Sequence, residues 1–161
     1  MTLDSIIERL EKAEGGDREL DCWIGYVADL REDDMSWRGK IDKFGIDHAV
    51  AAATGYSNVW RSVLPYYTSS MNAAITLVET MLPGWAWKVG TCCVSDDAWV
   101  TPDFNSPIHG ERLKREFPDL KAGSVFDTGV DIDLRPSGRP AIALCIAVLT
   151  ALKAKQVGVG E

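Results

Sequence analysis

The apolar residues of this chain fall into helical stripes at both ends and into an alternating pattern in the middle. Over residues 3–14, Leu3, Ile6, Ile7 and Leu10 recur at helical spacing behind Thr2, a residue type that caps helix starts. Gly15-Gly16 ends that helix. Asp17 then opens a second one, carrying Leu20, Trp23, Ile24, Val27 and Leu30 on one face. From about Met35 to Leu64 the pattern weakens: Ala49–Ala53 suits a short helix, while Gly39, Gly45 and Gly55 interrupt anything longer. Trp37, Phe44, Tyr56 and Trp60 nevertheless argue that this segment packs against something. Thr68 is placed to cap a third helix running to about Met81, and Pro83-Gly84 turns the chain.

The period then changes to two. Trp85, Trp87 and Val89 alternate with Ala86 and Lys88, which predicts a strand; Asp96-Asp97 reads as the hairpin turn into a second strand, Ala98–Thr101. A short helix is predicted at Gly110–Phe117 within a proline-containing stretch, residues 102–124. A third strand is predicted in Val125–Leu134, with Val130, Ile132 and Leu134 on its buried face. Pro140 suits the first turn of a final helix, which runs to about Lys155 and is apolar nearly all round. This order gives an α+β fold. Because both alanine-rich helices need extensive cover, an α/β/α sandwich with a small, mainly antiparallel sheet between helices is expected. The chain reads as one domain, residues 1–161: an N-terminal helical hairpin over 1–34, an insertion over 35–64 and a helix–sheet–helix core over 65–155.

The net charge of −7 comes from the hairpin, since residues 1–34 hold eleven acidic and four basic residues. Such a skew fits a solvated face or a protein-binding surface, and it argues against binding nucleic acid or an anionic membrane. The longest apolar run, Ala141–Leu149, is too short to span a bilayer. None of Cys22, Cys92, Cys93 and Cys145 lies in a C-x-x-C arrangement, so reduced thiols in a cytoplasm are expected.

Candidate binding chemistry lies at two helix starts. Thr68, Ser69 and Ser70 sit where free backbone N–H groups favour an anion, or simply cap the helix. Arg135 and Arg139 flank Ser137-Gly138 at the other, where two guanidiniums suit a phosphate. Trp85, Trp87 and Trp99 could stack on a base or fill the core, and Trp37, Tyr56 and Trp60 are placed to line a pocket. Asp47-His48 and the group Asp103, His109 and Glu111 are the groupings that suggest acid–base or metal work, but their spacing matches no ligand motif. No metal, cofactor or catalytic residue is expected.

Two motifs carry a family resemblance: Tyr67-Thr68-Ser69 leading into Ala73-Ala74, and Ala141, Cys145, Ala147, Leu149 and Ala151 in the last helix. With Trp85 and Trp87 between them, and Asp17-Arg18-Glu19-Leu20-Asp21 near the start, they resemble the phage ABA sandwich domain, a family of small phage and prophage proteins. The resemblance covers about residues 17–30, 65–101 and 139–155 and departs from the family at 31–64 and 102–124. It implies a helix–sheet–helix sandwich, a phage origin and no established catalytic residues. The expected function is a phage-encoded anti-defence protein, a homo-oligomer in the bacterial cytoplasm. It would sequester a small nucleotide signal, such as a cyclic nucleotide or an ADP-ribose derivative, without cleaving it. The expected ligand-binding residues are Tyr67, Thr68, Ser69, Ser70, Trp85, Trp87, Arg135, Arg139 and Trp60. The alternatives are an inhibitor of a host protein, acting through the acidic hairpin, and a nucleotide phosphodiesterase using His48 or His109.

Overall fold

A computed structural model describes residues 1–28, 37–56, 64–91, 95–118, 120, 126–131 and 139–159. Helix α1 (Leu3–Lys12) starts where Thr2 accepts a hydrogen bond from the Ser5 N–H, and it buries Ile6 and Leu10. In α2 (Arg18–Ala28) the Asp17 carboxylate accepts from the N–H groups of Glu19 and Leu20, so the expected cap is the one used. After α3 (Trp37–Phe44), α4 (Ile46–Ala51) and a π-helical turn (Ala52–Tyr56), the chain enters α5 (Met71–Met81). Strands β1 (Trp85–Thr91) and β2 (Ser95–Pro102) follow, then α6 (Gly110–Glu116), β3 (Phe126–Asp131) and the long α7 (Pro140–Val159).

The class is α+β, with one small antiparallel sheet in the order β1-β2-β3. Trp85 lies opposite Pro102 and Val89 opposite Ala98; directly opposed residues share a face, so Trp85, Trp87 and Val89 lie with Ala98, Val100 and Pro102. Ala98 and Val100 are fully buried in the main core beneath α7. Asp96 and Asp97, expected as the hairpin turn, instead pair with Thr91 and Gly90 as strand residues. Cys92, Cys93 and the expected strand positions Ile132 and Leu134 lie outside the described residues.

Helix α7 organises these elements. It lies across the sheet on one side and against α1 and α5 on the other. From Ala141 to Leu149 no residue is more than 4% exposed. Burying a large apolar side chain contributes about 1.5–3 kcal/mol, so this stretch is the largest single source of cohesion. Ala143 and Ala147, both fully buried, keep the neighbouring backbones close.

The described residues of the 35–64 insertion, 37–56 and Leu64, build a second, smaller core. Trp37, Ile41, Ala49, Ala53 and Leu64 pack with Cys22 of α2. A Cβ on Gly25 would lie 3.3 Å from the Trp37 ring, so the glycine lets that indole rest on α2. Helix α2 is therefore a shared wall, with Leu20 and Ile24 in one core and Cys22 in the other.

Among the described residues, no helix is long and apolar enough to cross a membrane. Ala147→Leu is expected to cost about 1–3 kcal/mol, because the overpacked side chain has no free space on any side of α7. Urea unfolding of the two proteins measures it.

Candidate functional site

The N-terminal hairpin engages one residue at each helix start expected to hold an anion, Thr68 and Arg139. Thr68 is 3% exposed; its N–H and its hydroxyl donate to Asp21 Oδ1 at 2.8 and 2.9 Å, and the hydroxyl accepts from the Asp17 N–H at 2.8 Å. Arg18 completes the cluster. Its Nη1 donates to Asp21 Oδ2 at 2.8 Å and to the Pro65 carbonyl at 3.1 Å, and its Nη2 donates to the Leu64 carbonyl at 3.0 Å. The guanidinium lies 3.8 Å from the centre of the half-exposed Tyr66 ring. The anion held by this segment is thus the protein's own Asp21 carboxylate.

Tyr67 is fully buried, and its carbonyl accepts from Cys145 Sγ at 3.3 Å, which ties the segment to α7. Its phenol hydroxyl makes no hydrogen bond among the described residues, and burial pushes its pKa up. Ser70, rather than the expected Thr68, caps α5 by accepting from the Ala73 N–H. Ser69 stays exposed, but the turn between α1 and α2 passes over it: a Cβ on Gly16 would fall 2.7 Å from Ser69 Cβ.

At the start of α7, Arg139 is buried, and its Nη2 donates to the Leu10 carbonyl near the end of α1 at 2.8 Å. The guanidinium expected to grip a phosphate thus satisfies a helix-end acceptor. Arg135 and Trp60 lie outside the described residues. Trp85 is 8% exposed and meets Phe117 edge-on, with ring centroids 5.4 Å apart, so it fills the core rather than presenting a stacking face. Trp87, at 36%, is the accessible indole of the expected set. Among the described residues, Thr68, Trp85 and Arg139 of the expected set are buried in packing contacts, while Ser69 and Trp87 stay exposed. The sequence marked helix starts with free donors; it gave no sign of the chain folding back across them.

The acidic hairpin is also more neutralised than its composition suggests. Arg9 pairs with Glu19 at 2.8 Å and lies 3.9 Å from Asp17; Lys12 pairs with Glu8, and Lys153 with Asp4. The Arg9 hydrogen bond holds the Glu19 carboxyl below its ordinary range. Cys22 is buried, which pushes its thiol up to about 12 and leaves it unreactive at neutral pH. His109 Nδ1 lies 3.2 Å from Arg112 Nη2, and His48 lies against Phe44 with ring centroids 4.9 Å apart. Among the described residues, no three His, Cys, Asp or Glu side chains are grouped to hold a metal ion.

A cleft of about 300 Å³ opens where the loop 103–109 meets the end of α6, lined by Phe104, Asn105, Lys114, Phe117, Pro118 and Leu120. Its walls are braced. Gly110 sits so close to the loop that a Cβ there would lie 2.5 Å from the Phe104 carbonyl oxygen. Ser106 Oγ accepts from the His109 N–H at 3.2 Å, and the Ser106 carbonyl accepts from the Gly110 N–H at 2.9 Å. Arg112 ties α6 to the Pro83 carbonyl at 2.6 Å and to Glu116 at 2.9 Å. Its lining presents two phenyl rings, a side-chain amide and one ammonium, the last paired with Glu111 at 3.2 Å. None of the residues expected to bind ligand lines it. The available signal was the proline-containing stretch 102–124, which departs from the family resemblance and holds the short helix predicted at Gly110–Phe117.

No family model matches this sequence, no curated protein is significantly similar to it, and no solved structure matches its fold.

The polar cluster yields two predictions. Thr68→Val should cost about 1–3 kcal/mol, because the Asp17 N–H and Asp21 each lose a buried partner. Ser69→Ala should stay within about 0.5 kcal/mol, as exposed positions usually do; chemical denaturation compares the two. The second concerns pH. Burial raises the Asp21 carboxyl above its ordinary value, against the opposing pull of the Thr68 and Arg18 donors. A raised folded-state pKa favours folding most in the protonated form. The stability of the wild type relative to Asp21→Asn should therefore fall as pH rises from the ordinary aspartate range through the folded-state pKa, and stay flat above it. Denaturation of both proteins at stepped pH reads this difference; a difference growing with pH would mean that the donors outweigh burial.

Proposed function

We propose that this chain binds a small nucleotide and does not cleave it, serving as a phage-encoded anti-defence protein that sequesters a host nucleotide signal in the bacterial cytoplasm. The observation that carries the binding part is the braced cleft, with Phe104 and Phe117 as aromatic walls and Lys114 at its edge. An aromatic wall accepts any base face, and one ammonium offers a phosphate partner. The phage setting, the anti-defence role and the compartment rest on the motif resemblance alone, which is an argument by analogy. A homo-oligomer belongs to the same proposal, since sequestering proteins often complete their sites between subunits.

Inhibition of a host protein is the second reading. Ile108 favours it: this residue is 84% exposed on the same braced loop, an apolar contact point with nothing described over it. The acidic hairpin favours it less, because Asp4, Glu8, Asp17 and Glu19 already have cationic partners.

Calorimetry of the full chain against purine and pyrimidine mononucleotides, cyclic dinucleotides and ADP-ribose should find micromolar binding of at least one. Chromatography of the same mixtures should recover the ligand intact. Lys114→Gln should weaken binding about fivefold or more, and the uncharged Ile108→Ser should leave it unchanged. Uniform absence of binding at millimolar ligand rejects the proposal, and released product replaces it with the phosphodiesterase reading.

A further inference from the structure

We infer that two copies of this chain join along the outer edge of β1, antiparallel about a twofold axis at Trp87, into a continuous sheet of six strands, three from each copy. This specifies the homo-oligomer proposed above and stands apart from the nucleotide reading. Strand β1 is an outer strand, with β2 on one side of it. The phase of its hydrogen bonds is set by the Asp103 N–H, which donates to the Gly84 carbonyl at 3.3 Å, one step beyond the Trp85–Pro102 pair. Bonded and non-bonded pairs alternate along an antiparallel ladder, so Ala86, Lys88 and Gly90 bond β2. Trp87 and Val89 turn their N–H and C=O groups to the other side, where no described residue meets them.

The side chain exposed there is an indole. Trp87 shares a face with the fully buried Ala98 and Val100, yet it is 36% exposed, because α7 lies chiefly over β2 and β3. A large aromatic side chain beside unpaired backbone groups is what a sheet edge needs to recruit another strand. The edge is also unobstructed: Lys88 and Gly90 are exposed, and a Cβ on Gly90 would meet nothing within 4 Å.

The second strand is identified by the side chains that self-pairing aligns. With the axis at Trp87, the two Trp87 residues exchange reciprocal backbone bonds and set their indoles side by side. Val89 then lies opposite Trp85, and Lys88 opposite Ala86; aromatic and β-branched cross-strand pairs of this kind are stabilising. Moving the axis one residue, to Lys88, would set two ammonium groups directly opposite each other, so charge selects the Trp87 register. A strand from an unrelated chain gains the same backbone bonds without this matched set of side chains. Because the contact is isologous, it consumes the β1 edge of both copies and stops at a dimer.

Sedimentation equilibrium of the full chain from about 20 µM to about 1 mM should show a reversible monomer–dimer equilibrium with Kd on the order of 100 µM, as befits a contact below about 1,200 Å². Water-to-amide saturation transfer by NMR over the same range locates the contact without any substitution. It should be visible at Trp87 and Val89 in dilute protein and fall about threefold in concentrated protein, and it should be absent at Ala86, Lys88 and Gly90 throughout. Trp87→Lys, which brings like charges to the axis, should weaken the dimer about tenfold or more with the helical circular dichroism unchanged. A chain that stays monomeric at the highest concentration, or a dimer whose Trp87 and Val89 amides keep their dilute-solution exchange, overturns the proposal and leaves the nucleotide reading as it stands. A folded Trp87→Lys chain that dimerises as well as the wild type overturns it too; if that variant fails to fold, the exchange measurement on the wild type decides.

Discussion

Helix α7 has no solvent face along Ala141–Leu149, and the rest of the molecule is arranged to satisfy that condition. A cylinder of apolar side chains can be covered only by several elements at once. The sheet takes one side of it, while α1 and α5 take another. Its small residues decide how near those neighbours come, and its larger ones fill the gaps they leave. The second core under α3 and α4 is joined to this arrangement through α2, whose two faces serve different clusters.

Polar chemistry follows from the same geometry. Bringing the hairpin against the starts of α5 and α7 buries donors and acceptors that water would otherwise satisfy, and each buried group needs a replacement partner. Asp21, Thr68, Arg18 and Arg139 supply those partners within the chain. A carboxylate, a hydroxyl and two guanidiniums in one region would suggest a reactive centre if only their types were known. Their bonds to backbone carbonyls and to one another show a joint that holds segments distant in sequence. The described cleft lies elsewhere, around the end of α6.

Much of the fold was legible in the sequence. The Thr2 and Asp17 caps, the Gly110 start of α6 and the Pro140 start of α7 were readable because each depends on neighbours within one helical turn. The strands were legible from alternation, except that Asp96-Asp97 resembled a turn and lies within β2, its backbone paired to Gly90 and Thr91. Segment 35–64 escaped because its helices are short and divided by glycine, so Trp37 and Ile41 gain their meaning only beside Cys22 and Leu64. The site was less legible still. Whether Thr68 faces a guest or Asp21 depends on a contact spanning 47 residues, and no local pattern records it. Nothing in the sequence singled out Phe104, and Phe117 read only as the end of a short helix; the close approach at Gly110 sets them around one cleft.

The bond from Arg139 to the Leu10 carbonyl closes a separation of 129 residues and joins the start of α7 to the end of α1. Without α7 in place, α1, α5 and the strands have no common surface on which to condense. Closing so long a loop also adds an entropic cost before any contact repays it. The main core therefore closes only through contacts far apart in sequence, which places the folding of this chain nearer the slow, non-local kind than its helical content suggests.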